Sequence, residues 1–275
     1  MSIEPMSTEW IPEGGKPEGG KSSLIRCDRV TLYSGNPKLG HPLKPPKKGL
    51  KVALIQEVSW TVGAGELWWV VGASGAGKTS LLRLLNRLAE PTQGNLFWQE
   101  VPYAKIPVLQ LRHQVTYVPQ EPRLLGMTVE QALRYPLQLR NLPEPEIIHR
   151  VNDWCDRLLI PKQWRDRTEL QLSLGERQWV AIARGMLIEP KVLLLDEPTA
   201  NLDAQRIQFL QQVMTASTQT TWIVASHDLG WLQQISPQVL YLEMGKRVAL
   251  TQPPNWEALQ EKLQQVTIAE IEEWS

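Results

Sequence analysis

At 275 residues, with 29 basic and 29 acidic side chains, the chain is long enough to bury a substantial core, and it has no net charge that would favour nucleic acid as its main partner. Its cysteines, Cys27 and Cys155, make neither a metal-ligand spacing nor a disulfide framework, which fits a reducing cytosol. No apolar run approaches the ~20 residues that span a bilayer, so work at a membrane would need a membrane part supplied by another chain.

Residues 1–23 repeat Glu-Gly-Gly-Lys at 13–16 and 18–21 and carry Pro5, Pro12 and Pro17 without a signal-peptide core, so they are predicted to be a disordered tail. Short strands are expected over 24–33 and 51–62. The Pro- and Lys-rich stretch between them, 34–50, reads as a solvated loop, with contact to lipid headgroups or a partner as the alternative. Next comes an apolar run, Leu67 to Val71, then Gly72-Ala73-Ser74-Gly75-Ala76-Gly77-Lys78-Thr79, which fits G-x-x-x-x-G-K-[ST] at every fixed position. A strand that delivers the chain to a glycine turn, followed by a helix, makes a phosphate cradle. Backbone N–H groups and the helix dipole face the anion, with Ser80 continuing the first turn. Lys78 can reach the β- and γ-phosphates, and the Thr79 hydroxyl can take one position on Mg²⁺. Leu81, Leu84, Leu85 and Leu88 recur at helical spacing and are expected to bury that helix.

Further on, residues 92–94 make a turn, and strands are expected at 95–98 and 115–119. From Glu121 to about Trp164 the pattern turns helical, interrupted at Pro136, Pro143 and Pro145, with apolar spacing at Val129, Ala132 and Leu133 and again at Val151, Trp154, Cys155 and Leu158. A helical lobe inserted between strands is implied. Residues 192–195 and 221–225 are apolar on both faces, as strands of a parallel core are. The tryptophans fall mostly on predicted core faces and read as packing.

Val192 to Glu197 is a buried strand ending in two carboxylates. Beside a phosphate loop, Asp196 suits a metal contact and Glu197 the polarisation of an attacking water; standing alone, the pair would serve equally as a turn or cap. Ser173 and Glu176 form the S-x-x-E capping-box spacing ahead of an apolar face at Trp179, Ile182, Ala183 and Met186, with Pro190 marking the far end. A well-capped structural helix and a second phosphate-binding helix N-terminus, using Ser173 and Gly175, fit this spacing equally well.

Taken in order, these motifs resemble an ABC-transporter ATP-binding subunit over residues 24–259. Gly72 to Thr79 match Walker A, Gln120 in Tyr-Val-Pro-Gln the Q-loop and Leu172 to Glu176 the signature. Leu193 to Glu197 match Walker B with its catalytic glutamate, Ala200 to Asp203 the D-loop and His227 in Ser-His-Asp the switch histidine. Tyr33 stands where that family stacks an aromatic on adenine. Two departures are evident: Leu174 replaces the first glycine of the usual signature, and Trp179 stands where arginine is common.

The resemblance implies an α/β P-loop NTPase fold over 24–260 with an antiparallel β subdomain, an inserted helical subdomain at about 121–185 and a tail at 261–275. It implies ATP and Mg²⁺, with Thr79, Gln120 and Asp196 at the metal, Glu197, His227 and Gln120 in catalysis, and Tyr33, the P-loop, Ser173, Gly175 and Asp203 at nucleotide. It further implies two cassettes closing head to tail and a transmembrane permease. That permease would be received near Glu121 to Val129, a segment that packing within the helical lobe would also explain, and the cassette would be held at the cytoplasmic face of the membrane. Leu124 to Val129 with Tyr135 to Asn141 weakly resembles small cassettes linked to iron or metal efflux. The rival readings are a soluble ABC-type ATPase in a non-transport process and a regulatory module that hydrolyses weakly because of Leu174.

Overall fold

Two antiparallel strands open the fold, β1 (Ser23–Tyr33) and β2 (Ala53–Gly63), and β4 (Gln93–Trp98) and the short β5 (Val101–Pro102) extend them on the β1 side. The computed structural model describes residues 23–34, 52–227 and 238–251, together with 230, 231, 235, 257, 260 and 261. Nearly all of the expected tails, 1–23 and 261–275, and of the 34–50 loop lies outside the described residues, although Ser23 already opens β1.

The rest of the sheet is built from β3 (Leu67–Val71), β6 (Val115–Val118), β7 (Val192–Asp196), β8 (Thr221–Ser226), β9 (Gln238–Glu243) and β10 (Lys246–Thr251). Among the described residues the order across it is β5-β4-β1-β2-β10-β9-β3-β8-β7-β6. From β9 to β6 every neighbouring pair is parallel. Helices therefore cover both faces, and the strands read as continuous apolar runs. Trp69, Val71, Leu193, Leu195, Trp222 and Val224 face one core. Their neighbours Trp68, Val70, Val192, Leu194, Ile223 and Ala225 face the other.

The second core is closed by α1 (Lys78–Leu85) and α2 (Val108–Gln114). The first is closed by α3 (Val129–Gln138), α4 (Glu144–Arg157), α5 (Leu174–Met186) and α6 (Ala204–Ala216). Capping chemistry sets several of these starts. Thr128 and Ser173 each form a reciprocal capping box, with Gln131 and Glu176 respectively, and Asp203 caps α6.

Three local expectations need correction. Leu88 does not bury the P-loop helix: α1 ends at Leu85, Arg87 turns left-handed at φ 56°, and the fully buried fourth leucine is Leu82. Pro136 does not interrupt its helix. It stands in the last turn of α3 on the side of an open groove, where only one backbone bond is forgone. Pro143 and Pro145 mark a beginning rather than a break, because Pro143 is the N-cap of α4 and Pro145 lies in its first turn, where no helix N–H is required. Helices α2 and α6 were not anticipated.

Trp179, the departure from arginine, is 2% exposed, and its Nε1 donates to the Leu158 carbonyl at 2.8 Å. Its ring meets Phe209 edge-on with centroids 6.0 Å apart, so one side chain ties the end of α4 to α5 and α6. Truncation at this position removes that packing and leaves the Leu158 carbonyl without its donor. Trp179→Ala is expected to lower stability by about 3–5 kcal/mol, read as a shift in the urea midpoint without nucleotide; a loss below about 1 kcal/mol would mean that the lobe repacks around the gap.

Candidate functional site

Because β3, β6, β7 and β8 run parallel, their carboxyl ends share one edge of the sheet. Val71 pairs with Ser226, Asp196 with Ala225 and Val118 with Leu195. The residues that follow, Gly72, His227, Glu197 and Gln120, therefore emerge side by side from segments far apart in sequence. Open parallel sheets bind ligands in such a crevice.

The 72–79 turn needs its glycines. Gly77 has φ 97°, and a Cβ there would lie 2.4 Å from the Leu54 carbonyl; Gly75 has φ 77° with open space around it. Gly77 is also the N-cap of α1, and no side chain caps that helix. An open glycine turn over an uncapped helix start fits a phosphate, whose oxygens can accept from the N–H groups there. Lys78 is buried, and its Nζ donates to the carbonyls of Gly72 at 2.7 Å and Ala73 at 3.0 Å. The same ammonium lies 3.5 Å from Glu197 Oε1.

Glu197 is the other anchor. It sits just past the end of β7 at φ 45°, a left-handed conformation uncommon for a side-chain-bearing residue. Its N–H donates to the Ala225 carbonyl at 2.9 Å, and its Oε2 lies 2.9 Å from His227 Nδ1 and accepts from the His227 N–H at 3.3 Å. The carboxylate is thus held between an ammonium and an imidazole, and the imidazole is itself largely exposed.

Beside it, Asp196 Oδ1 accepts from Thr79 Oγ1 at 3.0 Å. This pair of hard oxygen donors suits Mg²⁺, which takes few protein ligands and completes its shell with water and substrate phosphates. Among the described residues no group of three or more His, Cys, Asp or Glu could hold a metal by itself. Sequence reasoning missed Tyr117, whose hydroxyl donates to Asp196 Oδ2 at 2.7 Å. Its only signal was its place in the strand that leads to Gln120.

The remaining candidates lie further out. Ser74 and Gln120 are exposed, and Ala73, Ala76, Thr79 and Ser80 sit in or just after the loop. Tyr33 is half-buried on β1 opposite Ala53, one residue from the Leu54 carbonyl that abuts Gly77. Ser173 and Gly175 form a second group at the start of α5. Ser173 Oγ accepts from the Glu176 N–H at 3.2 Å, and a Cβ on Gly175 would lie 2.2 Å from the Asn201 carbonyl. Asp203 accepts from the Arg206 N–H at 2.8 Å and from its guanidinium at 2.9 Å, so within this chain it serves α6.

Burial pushes the Asp196 carboxyl above the usual aspartate range, although hydrogen bonds from Tyr117 and Thr79 pull the other way. The folded chain therefore holds a proton there more tightly than the unfolded chain. Stability without nucleotide or metal falls as pH rises through the interval between the ordinary and the raised values. Asp196→Asn keeps an acceptor and removes the charge. It is expected to raise the melting midpoint of the nucleotide-free protein at pH 7, by about 2–4 °C per kcal/mol relieved, with the gain shrinking in acid; a lower midpoint would mean that the neighbouring Arg83 outweighs burial.

The chain matches the family described as ABC transporter over residues 55–200. It is 31% identical over 207 residues to the glutamine transport ATP-binding protein GlnQ of Geobacillus stearothermophilus, covering 73% of this chain and 85% of the relative. With the arginine transport ATP-binding protein ArtP of Escherichia coli (strain K12) it shares 36% over 193 residues, covering 66% and 78%. The solved structure of cbiO1 from Clostridium perfringens, described as part of the ABC transporter complex cbiONQ, superposes with a TM-score of 0.70 at 25% identity, over 90% of this chain and 95% of that one. The ATP-binding cassette MJ0796, in a dimeric post-hydrolysis state bound to ADP and Pi, shares the fold with a TM-score of 0.71 at 21% identity, over 84% and 100%. With a glycine loop, a buried lysine and paired carboxylates on one sheet edge, the chain belongs to the ABC transporter family as an ATP-binding cassette, one of its ATPases.

Proposed function

We propose that this cassette hydrolyses Mg²⁺-ATP at the edge formed by Gly72 to Thr79, Asp196, Glu197 and His227, and couples that cycle to a separate membrane permease. The observation that carries the reading is the Glu197 carboxylate, fixed between Lys78 and His227 next to the Thr79–Asp196 pair. Thr79 and Asp196 would hold Mg²⁺, with Gln120 at the rim, and the ion would neutralise charge on the β- and γ-phosphates. Lys78 turns from the Gly72 and Ala73 carbonyls to the phosphate oxygens. Glu197 takes the proton of the attacking water, oriented by His227, which also reaches towards the γ-phosphate. Tyr33 offers an aromatic face for adenine at the end of the antiparallel sheet that abuts the loop.

Within one chain Gly175 packs on Asn201 and Ser173 is engaged in the capping box of α5. Their roles at nucleotide, and that of Asp203, are therefore assigned to a second copy of the cassette closing head to tail. Leu174 supports a competent signature because it is 40% exposed at the first turn of α5 and takes no part in the Ser173–Glu176 capping box.

The permease is assigned to a groove of about 390 Å³ along the free edge of β6, walled by Pro119, Arg123, Leu125, Tyr135, Leu139 and Ile188. Its apolar wall divides the two readings of the 121–129 segment, since Leu124 is buried in the lobe while Leu125 is 68% exposed at the groove. Among the described residues no helix is long and apolar enough to cross a membrane. We place the cassette at the cytoplasmic face of a membrane, bound through that permease. The cassette's contribution does not depend on cargo: the relatives are named for glutamine, arginine and methionine transport.

Glu197→Gln is expected to retain ATP binding and to cut turnover by roughly 10² to 10⁴, measured as phosphate release beside ATP titration; unchanged turnover would remove Glu197 from the chemistry. Leu174→Gly is expected to change turnover by less than about tenfold. Conversion of an inert protein into an active ATPase by that substitution would instead establish a regulatory module.

A further inference from the structure

Asp196 is 1% exposed, and each of its carboxylate oxygens has its own hydroxyl donor: Thr79 Oγ1 at 3.0 Å on Oδ1 and Tyr117 OH at 2.7 Å on Oδ2. The two donors come from different elements. Thr79 lies in the first turn of α1, and Tyr117 lies on β6, paired with Leu194 of β7 and directed to the core that α1 closes. Arg83 follows Thr79 by one helical turn and places a positive charge near both the Tyr117 hydroxyl and Asp196. The carboxylate is therefore clamped at both oxygens and backed by a cation before any metal arrives.

That clamp has a chemical consequence. Mg²⁺ demands near-ideal octahedral geometry and suits a carboxylate that gives it one oxygen, whereas the larger Ca²⁺ accepts a carboxylate with both. The Tyr117 hydroxyl on Oδ2 takes a lone pair that two-oxygen coordination would need, whereas the Thr79 hydroxyl on Oδ1 would turn to the same ion and so leave Oδ1 as the oxygen to present. A phenylalanine ring would fill the same space without this restraint. We propose that Tyr117 is a positioning residue for the metal-holding carboxylate, restricting Asp196 to one-oxygen coordination and thereby favouring Mg²⁺ over larger divalent ions. The proposal rests on the assignment of Asp196 to the metal.

The test compares the parent protein, Tyr117→Phe and Asp196→Asn in three measurements: ADP affinity without metal, Mn²⁺ affinity of the ADP complex by electron paramagnetic resonance, and displacement of that Mn²⁺ by Mg²⁺ or by Ca²⁺. Tyr117→Phe is expected to keep metal-free ADP affinity within about twofold, to weaken Mn²⁺ by about tenfold, the scale of losing a partner that orients a metal ligand, and to shift displacement towards Ca²⁺. A residue that only packs would not move the Ca²⁺-to-Mg²⁺ ratio. Mn²⁺ affinity within twofold of the parent, or an unchanged ratio, would overturn the proposal. Loss of metal-free ADP binding would also overturn it, by assigning the hydroxyl to the fold. Unchanged Mn²⁺ affinity in Asp196→Asn would instead remove the metal assignment itself, and the proposal with it.

Discussion

Parallel pairing of β6, β7, β8 and β3 is the constraint on which the rest of this molecule depends. Its register, Val118 with Leu195, Asp196 with Ala225 and Val71 with Ser226, lines up four strand ends whose successors carry the chemistry. No local propensity could do this, since Gly72 and His227 are separated by most of the domain. Burial on both faces holds the register in place, because a one-residue slip would exchange the two cores and move Leu193 and Leu195 to the face that packs Val192 and Leu194.

At that edge, buried charge is tolerated because it is paired. The Lys78 ammonium has carbonyl partners in its own loop and a carboxylate 3.5 Å away, and Glu197 has both that ammonium and His227. A buried ion without such partners would cost several kcal/mol. The arrangement keeps Lys78 close to where phosphate oxygens would lie, and it explains why the residue just past β7 is held at a left-handed φ: the turn carries the Glu197 carboxylate back towards Lys78 and His227.

The helical lobe is held together through specific polar contacts as well as packing. Glu169 accepts from the Leu124 N–H at 2.9 Å and pairs with Arg177 of α5 at 3.4 Å, while Arg184 donates to the Arg123 carbonyl at 3.0 Å. The segment that walls the groove is thus tied at two points to the helix that begins at Ser173. Gly175 extends the contact to Asn201, next to the segment that caps α6.

The amino-acid sequence by itself determined the elements whose signals are local. The glycine loop between Leu67–Val71 and a leucine helix, the capping box at Ser173 and the doubly apolar strands at 192–195 and 221–225 all follow from residue type and spacing, because φ preferences, capping and hydrophobic periodicity act over a few residues. Where local signals were weaker, reading failed. Leu88 kept the helical period after the helix had ended, Pro136 was weighed without the open groove beside it, and α6 hid behind a motif whose Asp203 is also its cap. Only the tertiary structure decided that Glu197 stands between Lys78 and His227, that Gly175 packs on Asn201, and that Tyr117 completes the clamp on Asp196. Those relations depend on strand register and on which face of the sheet a side chain takes, and both are fixed by burial summed over the whole core rather than by any neighbour in the chain.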